Sequence, residues 1–131
     1  MTRAAALLLL AFALLATHAT AAPAIVASGA WSRPAIGTGV VYLRVANRGP
    51  RPGLLDAARS PVARAVELHR STSGSAMMGG TMMSGVMSMH PVRALAVPAH
   101  GTLTFAPGGY HVMLIGLQHD LRPGERFPLQ L

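Results

Sequence analysis

Beyond residue 21 no stretch sustains a helical apolar period, whereas short alternating runs recur between glycine and proline punctuation, so the chain is restricted to an all-β fold. The alternation predicts strands over Ile25 to Trp31, Gly39 to Asn47, Gly53 to Ala58, Arg64 to Arg70, Gly85 to Val92, Thr102 to Ala106, Tyr110 to Leu117 and Glu125 to Leu131. Their spacing suits an antiparallel two-sheet β-sandwich of the immunoglobulin-like kind. Asn47-Arg48-Gly49-Pro50, Pro107-Gly108-Gly109 and Arg122-Pro123-Gly124 supply the residues that tight reversals require. One segment does not fit. Residues 71–85 contain only Ser, Thr, Gly, Ala and Met, with four glycines that make ordering expensive, and they are expected to form a mobile loop.

The N-terminus reads as an export signal: Met1-Thr2-Arg3 gives a positive start, Ala4 to Ala16 an apolar run too short to span a bilayer, and Ala19-Thr20-Ala21 a small-residue cleavage pattern. Residues 1–21 are therefore expected to be removed, leaving residues 22–131 as one periplasmic domain with no stable membrane span. The chain has no cysteine. That excludes disulfides, a lipid-modified cleavage site, thiol redox chemistry and a blue-copper thiolate centre, so packing and strand pairing must hold the fold. The net charge is +7 at pH 7 and every basic residue is Arg. These arginines are scattered rather than clustered with aromatics, which reads as a solvated surface and not as a nucleic-acid interface. Asp56, Glu67, Asp120 and Glu125 are the chain's acids, too few to support a paired-carboxylate or Ser/His/Asp enzyme.

Six of the eight methionines fall between residues 77 and 89: Met77, Met78, Met82, Met83, Met87 and Met89. A thioether is a soft donor that suits Cu(I), so this clustering points to copper, although a sticky hydrophobic surface is the plainer alternative. In the strand beginning at Tyr110, alternation places His111 and Met113 on one face, roughly 6.5 to 7 Å apart along the strand. Glu67 and His69 share a face in the same way, as do Met87 and Met89. Two imidazoles with one or two thioethers would make a neutral N/S donor set that fits Cu(I) and lacks the thiolates or third histidine of tight zinc sites. His100 and His119 fall in apparent turns and read as solvated, and His90 faces away from Met89.

Ala30-Trp31-Ser32-Arg33-Pro34, Tyr42-Leu43, Glu67-Leu68-His69, Val86-Met87-Ser88-Met89-His90-Pro91-Val92 and Pro107 through Leu114 together make the chain resemble the periplasmic copper chaperone family PCu(A)C. The resemblance implies a cupredoxin-like sandwich and a binding motif of one His, one Met and an HxM pair. On this chain the motif falls on His69, Met89, His111 and Met113. The family's usual spacing between its first His and Met is shorter than the nineteen residues 70–88 found here, which leaves Met87 as a rival to Met89. The implied activity is that of a carrier that binds Cu(I) and hands it to a copper-accepting oxidase subunit or another copper carrier, not that of an enzyme. Copper sequestration and a metal-free adhesion or assembly sandwich are the alternatives.

Overall fold

The structure, a computed structural model, describes residues 24–131, so the expected signal segment lies outside the described residues. Eight strands follow in order: β1 (Ile25–Ser32), β2 (Thr38–Asn47), β3 (Gly53–Leu55), β4 (Ala63–Met78), β5 (Thr81–Pro91), β6 (Leu95–Val97), β7 (Thr102–Phe105) and β8 (Tyr110–Leu117). They form a six-stranded sheet ordered β1-β2-β7-β8-β4-β5 and a two-stranded sheet of β3 and β6. The fold is all-β, and no helix among the described residues is long and apolar enough to cross a membrane.

Alternation in β2 explains the layering. Val41, Leu43 and Val45 are buried while Val40, Tyr42 and Arg44 point to the other face. The same rule in β8 buries Val112 and Leu114, and in β4 it buries Leu68. Those side chains meet Leu55, Leu95 and Val97 of the small sheet, together with Ala58, Val62 and Leu121 from the connections, in one apolar core. Two further bridges, Ala35 to Leu121 and Arg59 to Gln130, fasten the connecting segments over that core. Asn47 closes the β2 turn from within: its amide donates to the carbonyls of Arg51 (2.6 Å) and Val97 (3.2 Å), and its side-chain oxygen accepts from Gly49 N–H (2.9 Å).

β7 and β8 share β2 end to end. Leu43 to Ala46 pair with β7, and Thr38 to Val41 pair with β8. The chain passes from one to the other through the Pro107-Gly108-Gly109 turn, where Gly108 has φ 82° and Gly109 N–H donates to the Ala106 carbonyl at 3.0 Å.

The structure corrects several expectations. Residues 71–85 are not a loop: they carry β4 and β5 outward as a paired ribbon closed at Gly79-Gly80, with Gly74 opposite Val86 and Met77 opposite Met82. Cross-strand pairing, shifted once between Gly74 and Ser75, supplies the order that the composition argued against. Glu125 to Leu131 makes no strand, only the bridge at Gln130, because Phe127 and Leu129 pack on the core as an irregular strap. β3 stops at Leu55, short of Ala58, and the three-residue β6 lies in a stretch expected to be a connection. The ten arginines between Arg33 and Arg126 are all exposed, as a solvated surface requires.

Candidate metal centre

Because Val112 and Leu114 enter the core, the alternate residues His111 and Met113 fall on the opposite face of the large sheet. Register then selects their neighbours. β4 runs antiparallel to β8 with His69 directly opposite His111 and Glu67 directly opposite Met113. His69 is also paired with Pro91 of β5, so it stands where β4 leaves β8 and takes up β5 as its partner. The two imidazole centroids lie 5.6 Å apart with the ring planes inclined by 47°. His69 is 8% exposed and His111 2%.

Each ring is held by an acceptor. The His69 Nε2–H donates to a Glu67 carboxylate oxygen at 2.8 Å, and the His111 Nδ1–H donates to the Gly109 carbonyl at 3.3 Å. An acceptor at one nitrogen fixes the proton there and leaves the lone pair on the other. The two remaining atoms, Nδ1 of His69 and Nε2 of His111, are buried and have no hydrogen-bond partner. A buried polar atom without a partner costs free energy, and two in adjacent rings fit an electron-pair acceptor such as a metal ion. Burial holds the His111 pKa below the ordinary histidine value; the Gly109 carbonyl opposes that shift and neighbouring His69 adds to it. The ring is therefore neutral, as a metal ligand must be, at pH 7.

The thioethers lie on either side of the histidine row. Met113 is two residues along β8 from His111, half-buried, between Val40 of β2 and Glu67 of β4. Met89 is opposite Ser71, one row toward the ribbon and on the same face, and is 52% exposed. Met87 is opposite Ser73, a further row out. The sheet thus brings the two histidines side by side, places one thioether on each flank, and ranks Met89 ahead of Met87 by proximity. Among the described residues no three His, Cys, Asp or Glu side chains form a group that could hold a metal, and the soft donors that flank the pair on this face are the thioethers of Met113 and Met89. On the β2 side, Tyr42 follows the last residue paired with β8 and stacks on Trp31, with ring centroids 4.7 Å apart.

The other histidines are elsewhere. His100 occupies a turn with φ 53°, and its backbone N–H donates to Gly49. His119, expected to be simply solvated, is paired with Glu125, whose other oxygen accepts from Arg122 N–H; these bonds hold the Glu125 carboxyl below its ordinary range. His90 lies opposite Arg70, on the face away from Met89. Glu67 was visible in the sequence as a residue sharing the His69 face, but not as the acceptor that sets the ring's tautomer. No sequence signal pointed to the Gly109 carbonyl.

The two-sheet sandwich is an architecture shared with PCuAC domains of known structure. A copper-bound PCuAC domain from PmoF2 superposes with a TM-score of 0.61 over 83% of this chain and 80% of that one, at 21% sequence identity. The apo PCuAC domain from PmoF1 gives 0.60 over 82% and 80%, at 19% identity. At these identities the likeness is one of fold, and it agrees with the cupredoxin-like sandwich expected from the motifs. Residues 16–131 match the family described as "Putative lipoprotein LpqE-like", and the chain belongs to that family. A relative from Leifsonia xyli subsp. xyli, named "Putative lipoprotein Lxx21020", is 30% identical over 107 residues. The match takes in 79% of this chain and 58% of the relative, so the chain spans little more than half of that protein's length.

Proposed function

We propose that this protein is an exported copper carrier that binds one Cu(I) through His69 and His111, with Met89 and Met113 completing the site, and passes it to a copper-accepting oxidase subunit or another carrier. The observation that carries this reading is the pair of buried, unpartnered nitrogens, Nδ1 of His69 and Nε2 of His111, each left with its lone pair by a hydrogen bond on the opposite side of its ring. Two neutral nitrogens with flanking thioethers match the soft, low-coordinate preference of Cu(I). Glu67, beside His69, balances the ion's charge, so the loaded site is not left with a net positive charge as the four ligands alone would leave it. Its side chain is 47% exposed, which keeps the desolvation cost of that charge small. The export of the relatives implied by their lipoprotein description supports a periplasmic location, although these 131 residues contain no cysteine to carry a lipid. Delivery to a respiratory oxidase rests on the resemblance of the motif residues to PCu(A)C chaperones.

Sequestration is favoured by a different observation, the exposed methionines of the ribbon, and stoichiometry separates the two readings. An anaerobic Cu(I) competition titration of residues 22–131 is expected to show one tight site. His111→Ala or Met113→Ala should weaken it by about 10- to 100-fold or more, while His100→Ala leaves it unchanged. Several equivalent ions per chain would favour a buffer, and a damaging His100→Ala would place the site elsewhere.

A further inference from the structure

The ribbon presents a feature that the histidine site does not use. Met82, Met83, Met87 and Met89 are 65%, 49%, 53% and 52% exposed, an unusual position for side chains whose ordinary place is a core. Register sorts them. Met89 and Met87 stand opposite Ser71 and Ser73, two residues apart on β5 and on the face that carries His69. Beyond them the register shifts between Gly74 and Ser75, because Gly85 is an extra residue on β5. Gly85 has φ 79°, a conformation that glycine adopts without strain. The extra residue reverses the parity of the outer part of β5, which puts position 82, opposite position 77, on the histidine face and position 83, opposite position 76, on the reverse. Three exposed thioethers therefore line one face in the order Met82, Met87, Met89 and end beside the His pair, while Met83 has the same chemistry and similar exposure on the other face.

We propose that Met82, Met87 and Met89 form a thioether track on which Cu(I) is first received, by the Met87–Met89 pair, and from which it passes to His69 and His111. This rests on the copper-carrier reading above. Met87 and Met89 are roughly 6.5 to 7 Å apart along the strand, a spacing that lets two thioethers converge on one ion. The transfer is a ligand exchange without oxidation or reduction: the Cu–S bond to Met87 breaks as bonds form to Nδ1 of His69 and Nε2 of His111, while Met89 stays attached. The arrangement answers a difficulty of the histidine site, whose donor nitrogens are buried and hard for an incoming ion to reach from solvent. Neutral exposed sulfurs hold Cu(I) weakly enough to release it and softly enough to reject Mg, Ca and Zn.

The test is anaerobic loading from the Cu(I) bis-bicinchoninate complex, whose absorbance reports copper loss both by stopped flow and at equilibrium. Leucine keeps the size and apolarity of methionine and removes the sulfur. Met87→Leu and Met82→Leu are expected to slow loading, Met87→Leu by about tenfold or more, a barrier change well within reach of one lost ligand, with equilibrium affinity unchanged. Met83→Leu should load at the parent rate. A His69→Ala/His111→Ala chain should still bind Cu(I) weakly and lose that binding when Met87→Leu is added. The track is overturned if Met87→Leu loads at the parent rate, if Met83→Leu slows loading equally, or if the double histidine variant binds no copper while the parent binds it tightly. It is also overturned if Met87→Leu abolishes tight binding and Met89→Leu does not, since Met87 would then be a ligand of the histidine site itself. A parent chain that takes up no Cu(I) removes the carrier reading together with the track.

Discussion

β4 leads two different lives along its length. From Ala63 to Arg70 it pairs with β8, and its Leu68 enters the core at 4% exposure. From Ser71 to Met78 its partner is β5, and Thr72, Ser73 and Gly74 are exposed. Both halves are extended strand, but among the described side chains only the first half places an apolar one in the core, and an isolated two-stranded ribbon is marginally stable in water. His69 stands at the junction, paired on one side with His111 and on the other with Pro91. Under the proposed carrier role the difference has a use: nitrogen donors are set by the anchored half, and sulfur donors are offered by the ribbon beyond it.

The comparison breaks first on stability. Leu114→Ala, which removes a fully buried side chain from the strand beside proximal β4, should destabilise the protein by about 2–5 kcal/mol in urea unfolding. Met87→Ala on the ribbon should stay within about 0.5 kcal/mol. Equal losses would mean that the ribbon is part of the same cooperative core.

A smaller effect tests how the anchored half sets its donors. Glu67→Gln keeps an acceptor for the His69 Nε2–H but removes the charge, so Cu(I) affinity should fall by roughly tenfold, as for other partners of metal-ligating histidines, without a change in the unfolding midpoint. An unchanged affinity would show that the carboxylate's charge does not balance the ion.

Acid supplies a further, milder test. The His111 pKa is lower folded than its ordinary 6.5, so between those two values the unfolded chain binds more protons than the native one. This contribution is fully present above 6.5 and is lost as pH falls from there toward the folded value. Urea midpoints should decline over that range, and the His111→Ala variant should show a shallower decline. The same slope in both proteins would remove His111 from the explanation.

The smallest expected change is the most discriminating for the ribbon. Replacing residues 75–85 by a two-residue Asn-Gly turn would join Gly74 to Val86, which are already cross-strand partners. Unfolding free energy should move by no more than about 0.6 kcal/mol, the order of a change in loop closure, and tight Cu(I) binding should persist because Met87 and Met89 remain. Loss of tight binding would show that the outer ribbon supplies a ligand to the histidine site.

Strand alternation carried much of this protein in plain view. The limits of β8 were legible because glycines precede it and the polar stretch Gln118 to Asp120 ends its apolar run, and the strand over Gly39 to Asn47 was legible between its own turn signals. It failed where alternation and pairing part company. Phe127 and Leu129 alternate like a strand yet pack, partly buried, on the core as an irregular strap fastened by the Arg59–Gln130 bridge. Residues 71–85 show the reverse: a composition poor in strand formers is ordered by the partner it meets, not by its own preference.

The sequence by itself determined which residues could share a face, because the period of two is a property of the extended backbone and needs no neighbour. His111 with Met113, Glu67 with His69 and Met87 with Met89 followed from that rule. Tertiary structure decided which of these pairs meet, since the neighbour of a strand is chosen by long-range pairing that local periodicity does not encode. It set His69 against His111, ranked Met89 ahead of Met87, and reversed the face of Met82 through a single extra glycine. The tautomers were also decided there: a ring's free nitrogen depends on what accepts its proton, and the Gly109 carbonyl reaches His111 only once the turn before β8 has folded.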